Sequence, residues 1–332
     1  MGKNVAILGA TGAVGHELLH ILAERNFPIS ELVLLASPRS AGSTLKFRGE
    51  EVAVQAVSKD AFAGVEFAFF SAGADRSLEW APAANEAGAI VIDNSSAFRT
   101  HPEVPLVVPE INGEQLSARP KRVSVPNCTA ILLTMVLHPI RALGKFDRVV
   151  VSTYQSASGG GASMMQALVD QTKAALAGEP PKASATFPPY AFNLFSHNTV
   201  IGADGFNGEE SKVMTETRRI LGLQDLSLMV TCVRVPVLRA HSESVVIDFA
   251  GEAPSVENIR EALGSAPGVR LLDDRENNDF PTPLAASGGD DVLVGRIRRD
   301  PSRPNSIALF LAGDQLRKGA ALNAVQIAER LL

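Results

Sequence analysis

Residues 4–8, Asn4-Val5-Ala6-Ile7-Leu8, form a short apolar run that stops at Gly9-Ala10-Thr11-Gly12-Ala13-Val14-Gly15 and passes into an amphipathic segment ending near Arg25. A buried-type strand, a turn with three glycines in seven residues, and a helix leave few folds open. The spacing is G-x-x-G-x-x-G rather than the standard dinucleotide fingerprint, so its context carries the weight. A strand before and a helix after let a pyrophosphate approach the backbone at a helix N-terminus. A tight β–α turn with no ligand is the alternative, but three glycines exceed what such a turn needs. Gly9, Thr11, Gly12, Ala13 and Val14 are the expected cofactor contacts.

The next strand, 32–36, ends in Ser37-Pro38-Arg39-Ser40 with no acid to bond a ribose diol. Arg39 and Ser40 suit a 2′-phosphate, which predicts NADP over NAD. Strand-like runs recur at 65–70, 89–93, 106–108 and 122–125, with a helical stretch at 78–87. This alternation predicts an α/β fold, a Rossmann-type doubly wound parallel sheet. Ser71 and Gly73 follow one strand and Asp93-Asn94-Ser95-Ser96 another, at the carboxyl ends where such sheets bind ligands.

The run Val123-Ser124-Val125-Pro126 then meets Asn127-Cys128-Thr129 and an apolar helical segment. A helix beginning at Cys128 would aim its positive end at the sulfur and favour thiolate. A buried, inert thiol is the competing reading of the local sequence. Longer strand-like runs follow at 146–155, 226–234, 243–249, 292–298 and 306–312, with helices at 164–177 and 209–221. They predict a second α+β domain on a mixed or antiparallel sheet. The expected division is 1–127 for the cofactor, joined by a plain final helix within 315–332, and 128–314 for substrate and dimerisation.

Composition narrows the function. With 31 basic and 36 acidic residues the net charge of −5 leaves no basic footprint for nucleic acid. Two cysteines are too few for a disulfide scaffold. No segment is apolar for long enough to cross a bilayer, and the N-terminus enters a strand directly, which predicts a cytoplasmic protein. His16-Glu17-Leu18-Leu19-His20 matches the zincin pattern H-E-x-x-H. It falls in the first turns of the glycine-loop helix and lacks a downstream third ligand, so two surface histidines are expected and no metal.

A nucleotide domain followed by a cysteine points to hydride transfer coupled to thioester chemistry. Such a site needs a proton acceptor and an anchor for substrate charge, and Arg234-Val235-Pro236-Val237-Leu238-Arg239-Ala240-His241 offers both. His241 would be the base, with an ordinary interior histidine as the alternative. The blocks 9–15, 94–99, 108–112, 126–129, 153–155, 209–212, Arg234 with His241, and 316–323 together resemble the aspartate-semialdehyde dehydrogenase family from first strand to last helix. The loop Gly159-Gly160-Gly161 and Ser211 depart from the family pattern without removing a reacting group.

The resemblance implies NADP-dependent interconversion of L-aspartate 4-semialdehyde plus phosphate with L-aspartyl 4-phosphate, in lysine, threonine and methionine synthesis, by a homodimer. It implies Cys128 as nucleophile, His241 as proton relay and Gln155 orienting the intermediate. It further implies Arg234 on the substrate carboxylate, Glu209 on its ammonium, and Arg99, Asn127 and Lys212 around phosphate. Ser158, Gly159 and Asn323 would lie against the nicotinamide. N-acetyl-glutamyl-phosphate reductase is the same-class alternative, disfavoured by Asn127 and Glu209. A zinc peptidase and a non-catalytic NADP-binding homologue are the others.

Overall fold

The computed structural model describes residues 2–180 and 182–332; Met1 and Pro181 lie outside the described residues. Two compact units result: Met1–Asn127 with Ala320–Leu332, and Cys128–Gly319. The return to the first unit therefore begins at residue 320, five residues beyond the expected boundary.

The first unit comprises β1 (Lys3–Leu8), α1 (Ala13–Glu24), β2 (Ile29–Ala36), β3 (Thr44–Phe47), β4 (Glu50–Ala56), β5 (Phe67–Phe70), α2 (Ala74–Glu86), β6 (Ile90–Asp93), α3 (Pro109–Asn112) and β7 (Arg122–Ser124). Its sheet has the order β3-β4-β2-β1-β5-β6-β7 and is parallel except for the β3–β4 hairpin. The four residues of β5, Phe67-Ala68-Phe69-Phe70, are all buried, as a strand covered on both faces requires. Phe62, Phe70, Ala81 and Val91 pack in one core cluster, and each fully buried aromatic contributes about 1.5–3 kcal/mol. The 106–108 segment is not a strand: only Leu106 bridges to Ser124 before Pro109 opens α3.

The second unit comprises α4 (Cys128–Ile140), β8 (Phe146–Gln155), α5 (Ala162–Leu176), β9 (Phe195–Ser196), α6 (Gly208–Leu221), β10 (Ser227–Arg234), β11 (His241–Phe249), α7 (Val256–Gly264), β12 (Val269–Leu271), α8 (Pro283–Ala286), β13 (Val292–Asp300) and β14 (Arg303–Gly313). The mixed sheet runs β12-β13-β14-β11-β8-β10-β9. Helix α4 is buried on all sides from Thr129 to Leu137, the mark of an internal helix. It packs with α6 and α7 on one face of the sheet. On the opposite face Val150, Val246 and Phe310 are half-buried, while Tyr154 and Met229 are exposed.

The last helix is not plain. A π-helical turn, Arg317–Ala321, precedes α9 (Leu322–Arg330), which packs on α1 and is clamped there by Arg25 bidentate to Glu329 at 2.7 and 2.7 Å.

Candidate active site

Gln155 ends β8, Arg234 ends β10 and His241 opens β11. Parallel pairing sets Gln155 opposite Arg234. Antiparallel pairing sets Ser242 opposite Tyr154, so His241, one step on, takes the face that Gln155 and Arg234 share. The three side chains are buried together because they come from adjacent strands, with Pro236 in the connection between β10 and β11.

Helix α6 brings Glu209 to this cluster. Asn207 caps it by accepting from the Glu209 and Glu210 N–H groups, and Glu210 returns the bond to the Asn207 N–H in a capping box. The other Glu210 oxygen accepts from the Cys232 N–H at 3.0 Å and pins the helix start to β10. Glu209 then accepts from Gln155 Nε2 at 3.1 Å and faces Lys212 Nζ at 3.6 Å.

His241 Nδ1 accepts the Ser156 N–H at 3.0 Å. An amide can only donate, so the neutral ring carries its proton on Nε2, which is buried without a partner. Burial, then the charge of Arg234, pushes the His241 pKa down to about 3 against the opposing pull of Glu209. The ring is therefore neutral and presents a donor. Arg234 donates from Nη1 to the Ser156 carbonyl at 3.0 Å and from Nη2 to His197 at 2.7 Å, while its Nε has no partner. Gly159 lies tightly against them: a Cβ there would lie 3.0 Å from Arg234 Nη1 and from His241 Cε1 and Nε2. Ser158 is buried, its hydroxyl shared with Ser156 at 2.9 Å and taking a bond from Gln315.

Of the two cysteines, Cys232 is fully buried in β10, and burial, then Glu209, raises its pKa far above the ordinary thiol range. That excludes it as a thiolate. Cys128 is half-buried at the N-terminus of α4, with residue 319 so close that a Cβ on Gly319 would lie 3.0 Å from the Cys128 Cβ.

In the first unit the glycine turn forms a cradle. A Cβ on Gly9 would lie 2.4 Å from the Ser71 carbonyl oxygen, and one on Gly15 would lie 2.3 Å from that of Gly9. Helix α1 has no side-chain cap at Gly12, which leaves its first N–H groups directed at the turn beside Thr11, Ala13 and Val14. These features fit a dinucleotide pyrophosphate. Ser71 and Gly73 follow β5, on the other side of β1 from β2, at the point where strand order reverses. Arg39 and Ser40 sit in the turn that ends β2. Arg99 donates to the carbonyls of Val125 at 2.9 Å and Asn94 at 2.7 Å. Asn127 is buried, and Asn323 is buried in α9, donating to the Val107 carbonyl at 2.9 Å.

His16 and His20 are exposed on α1, and His20 lies 3.8 Å from Glu24. Among the described residues no group of three metal-ligating side chains gathers. No described helix is long and apolar enough to cross a membrane.

Two family models match the chain: Semialdehyde dehydrogenase, NAD binding domain, over residues 4–119, and Semialdehyde dehydrogenase, dimerisation domain, over residues 137–318. The aspartate-semialdehyde dehydrogenase of Synechocystis sp. is 54% identical over 328 residues, spanning 99% of this chain and 97% of that protein. The chain belongs to the aspartate-semialdehyde dehydrogenases. The crystal structure of aspartate-semialdehyde dehydrogenase II from Vibrio cholerae matches with a TM-score of 0.96 at 42% identity, covering 100% of this chain and 98% of that one. The same enzyme complexed with ASA matches with a TM-score of 0.96 at 41% identity and the same coverage. The fold is accordingly a Rossmann-type NAD-binding domain with a dimerisation domain, and family membership favours aspartate-semialdehyde dehydrogenase chemistry over the peptidase and reductase alternatives.

Sequence reasoning missed His197, Ser156, Gln315 and Gly319. The capping box at Asn207-Gly208-Glu209-Glu210 was a readable signal for where α6 begins. His197, Ser156 and Gln315 act through hydrogen bonds and Gly319 through a close approach to Cys128, none of which has a sequence signature.

Proposed function

We propose that this chain interconverts L-aspartate 4-semialdehyde plus phosphate with L-aspartyl 4-phosphate, using NADP, in the cytoplasm as a step towards lysine, threonine and methionine. The observation that carries the assignment of roles is the buried cluster of Gln155, Glu209, Arg234 and His241, in which Arg234 Nε and His241 Nε2 are unpartnered donors. A guanidinium offers a carboxylate two parallel bonds, and Glu209 offers charge to an ammonium. Lys212, Arg99 and Asn127 supply the phosphate site. The turn after β2 contains Arg39 and Ser40 and no carboxylate, which favours a 2′-phosphate. Ser158, Gly159 and Asn323 are the nicotinamide contacts.

Cys128 attacks the aldehyde carbon as thiolate: a C–S bond forms, and the carbonyl pair moves to oxygen. His241 Nε2–H donates to that oxyanion, so its part in the proton relay begins as donation. A bound nicotinamide dinucleotide supplies the hydride acceptor. Gln155, held by Glu209, keeps the resulting thioester in place. A phosphate oxygen, oriented by the cationic residues, then adds to the acyl carbon, and the C–S bond breaks to return the Cys128 thiolate.

Nicotinamide absorbance tests the assignment, comparing NADP with NAD and phosphate with none. Turnover is expected to require phosphate and to favour NADP, and Cys128→Ser is expected to lower kcat by about 10³-fold or more. Reduction that proceeds without phosphate, or that survives loss of the thiol, would overturn it.

A further inference from the structure

We infer that His197 is a positioning residue: a neutral imidazole that aims the Arg234 guanidinium at the substrate carboxylate and ties it to the start of α6. This rests on the carboxylate-binding role of Arg234 proposed above. Arg234 is 4% exposed, and no salt bridge among the described residues neutralises it. Its Nη2 lies 2.7 Å from His197 Nε2. A guanidinium has donors only, so Nε2 is the acceptor and the imidazole proton sits on Nδ1. From Nδ1 the order continues 3.3 Å to the Thr199 hydroxyl, and from that hydroxyl 3.4 Å to Asn207 Oδ1, the cap of α6. The Thr199 oxygen also accepts the Glu209 N–H at 3.0 Å. One directional chain thus joins the side chain that would bind carboxylate to the helix that carries Glu209 and Lys212.

The choice of imidazole has a physical reason. With Nη1 held by the Ser156 carbonyl, a second acceptor at Nη2 fixes the guanidinium plane. A carboxylate could do this, but it would cancel the charge the substrate needs. Neutral imidazole fixes the plane and leaves the charge whole. Burial, then the charge of Arg234, pushes the His197 pKa down to about 4; Lys212 acts the same way and Glu209 opposes them. Tyr190, also near Arg234, keeps its proton, its pKa raised to about 12 by burial. The acceptor is therefore present throughout the neutral range.

The test compares L-aspartate semialdehyde with 3-aminopropanal, which lacks the carboxylate, in His197→Ala, His197→Gln and Arg234→Ala. His197→Ala is expected to raise KM for the semialdehyde about 10- to 100-fold with kcat within about threefold, and to leave kcat/KM for 3-aminopropanal unchanged. His197→Gln, whose amide oxygen can accept from Nη2, is expected to restore most of the loss. Equal losses on both aldehydes in His197→Ala, or no KM effect, would overturn the inference. If Arg234→Ala itself leaves the semialdehyde KM unchanged, the carboxylate role of Arg234 is what fails. Thermal melting of His197→Gln separates misfolding from misplacement.

Discussion

One nitrogen of His241 is tied to the Ser156 N–H and the other is buried without a partner. The ring can accept a proton only by releasing Ser156, and burial with Arg234 holds its pKa at about 3. Because that value lies below the 6.5 of an unperturbed histidine, the unfolded chain takes up the proton first as pH falls. The stability this neutral ring contributes is present above pH 6.5 and is lost as pH drops towards 3; His197 behaves likewise down to its value near 4. For catalysis, His241→Ala is expected to lower kcat about 10²- to 10³-fold, with His241→Gln retaining part through its N–H. The pH profile of kcat/KM should then show no His241 limb between about pH 5 and 7. An ionisation in that range that disappears in His241→Gln would show a histidine working as an ordinary base. Cys128, Arg234 and His241 were legible as candidates from residue type, and Gln155 and Glu209 only through the family resemblance. His197 was not, since its part exists only in the 2.7 Å contact with Arg234 Nη2.

At the scale of elements, the β1–α1 turn was the clearest part of the sequence, and the structure shows why its glycines are not equivalent. A Cβ at Gly15 would meet the carbonyl oxygens of Gly9 and Ala10 at 2.3 and 2.5 Å, whereas one at Gly12 would meet only that of Gly9 at 3.3 Å. Backbone cannot yield as a flexible side chain does. Gly15→Ala is expected to cost about 1–3 kcal/mol of stability and to weaken dinucleotide binding, with Gly12→Ala milder on both. Calorimetry and a fluorescence titration with NADPH measure the two, and equal effects at both positions would contradict the cradle. The β3–β4 hairpin was missed because its paired segments, Thr44-Leu45-Lys46-Phe47 and Glu50-Glu51-Val52-Ala53, are short and carry no continuous apolar run. Its turn places Arg48 at φ 50° and Gly49 at φ 89°, a conformation usually signalled by Asn-Gly or Asp-Gly. The final helix was misread as plain because nothing in Arg317-Lys318-Gly319-Ala320-Ala321 announces a π turn. That turn contains Gly319, whose lack of a Cβ admits Cys128.

At the scale of the whole molecule, the second sheet has one face covered by α4, α6 and α7 and the other bearing Val150, Tyr154, Met229, Val246 and Phe310, each half-buried or exposed. Register sets Val150 directly between Met229 of β10 and Val246 of β11, an apolar row on that face, and further along it Tyr154 lies against Phe310. Alternation along β8 made its buried side predictable, but which covering the other side receives is a property of no single strand. The match of residues 137–318 to a dimerisation domain favours a second copy of the same chain as the occupant. In a two-fold interface a carboxylate at position 150 would be buried on both sides without a partner. Val150→Glu is therefore expected to sediment more slowly than the unsubstituted chain at the same concentration, as a monomer rather than a dimer. Leu284→Glu, on α8 at a residue 88% exposed, should leave the assembly intact. A Val150→Glu chain that still sediments as a dimer would place the interface on another surface.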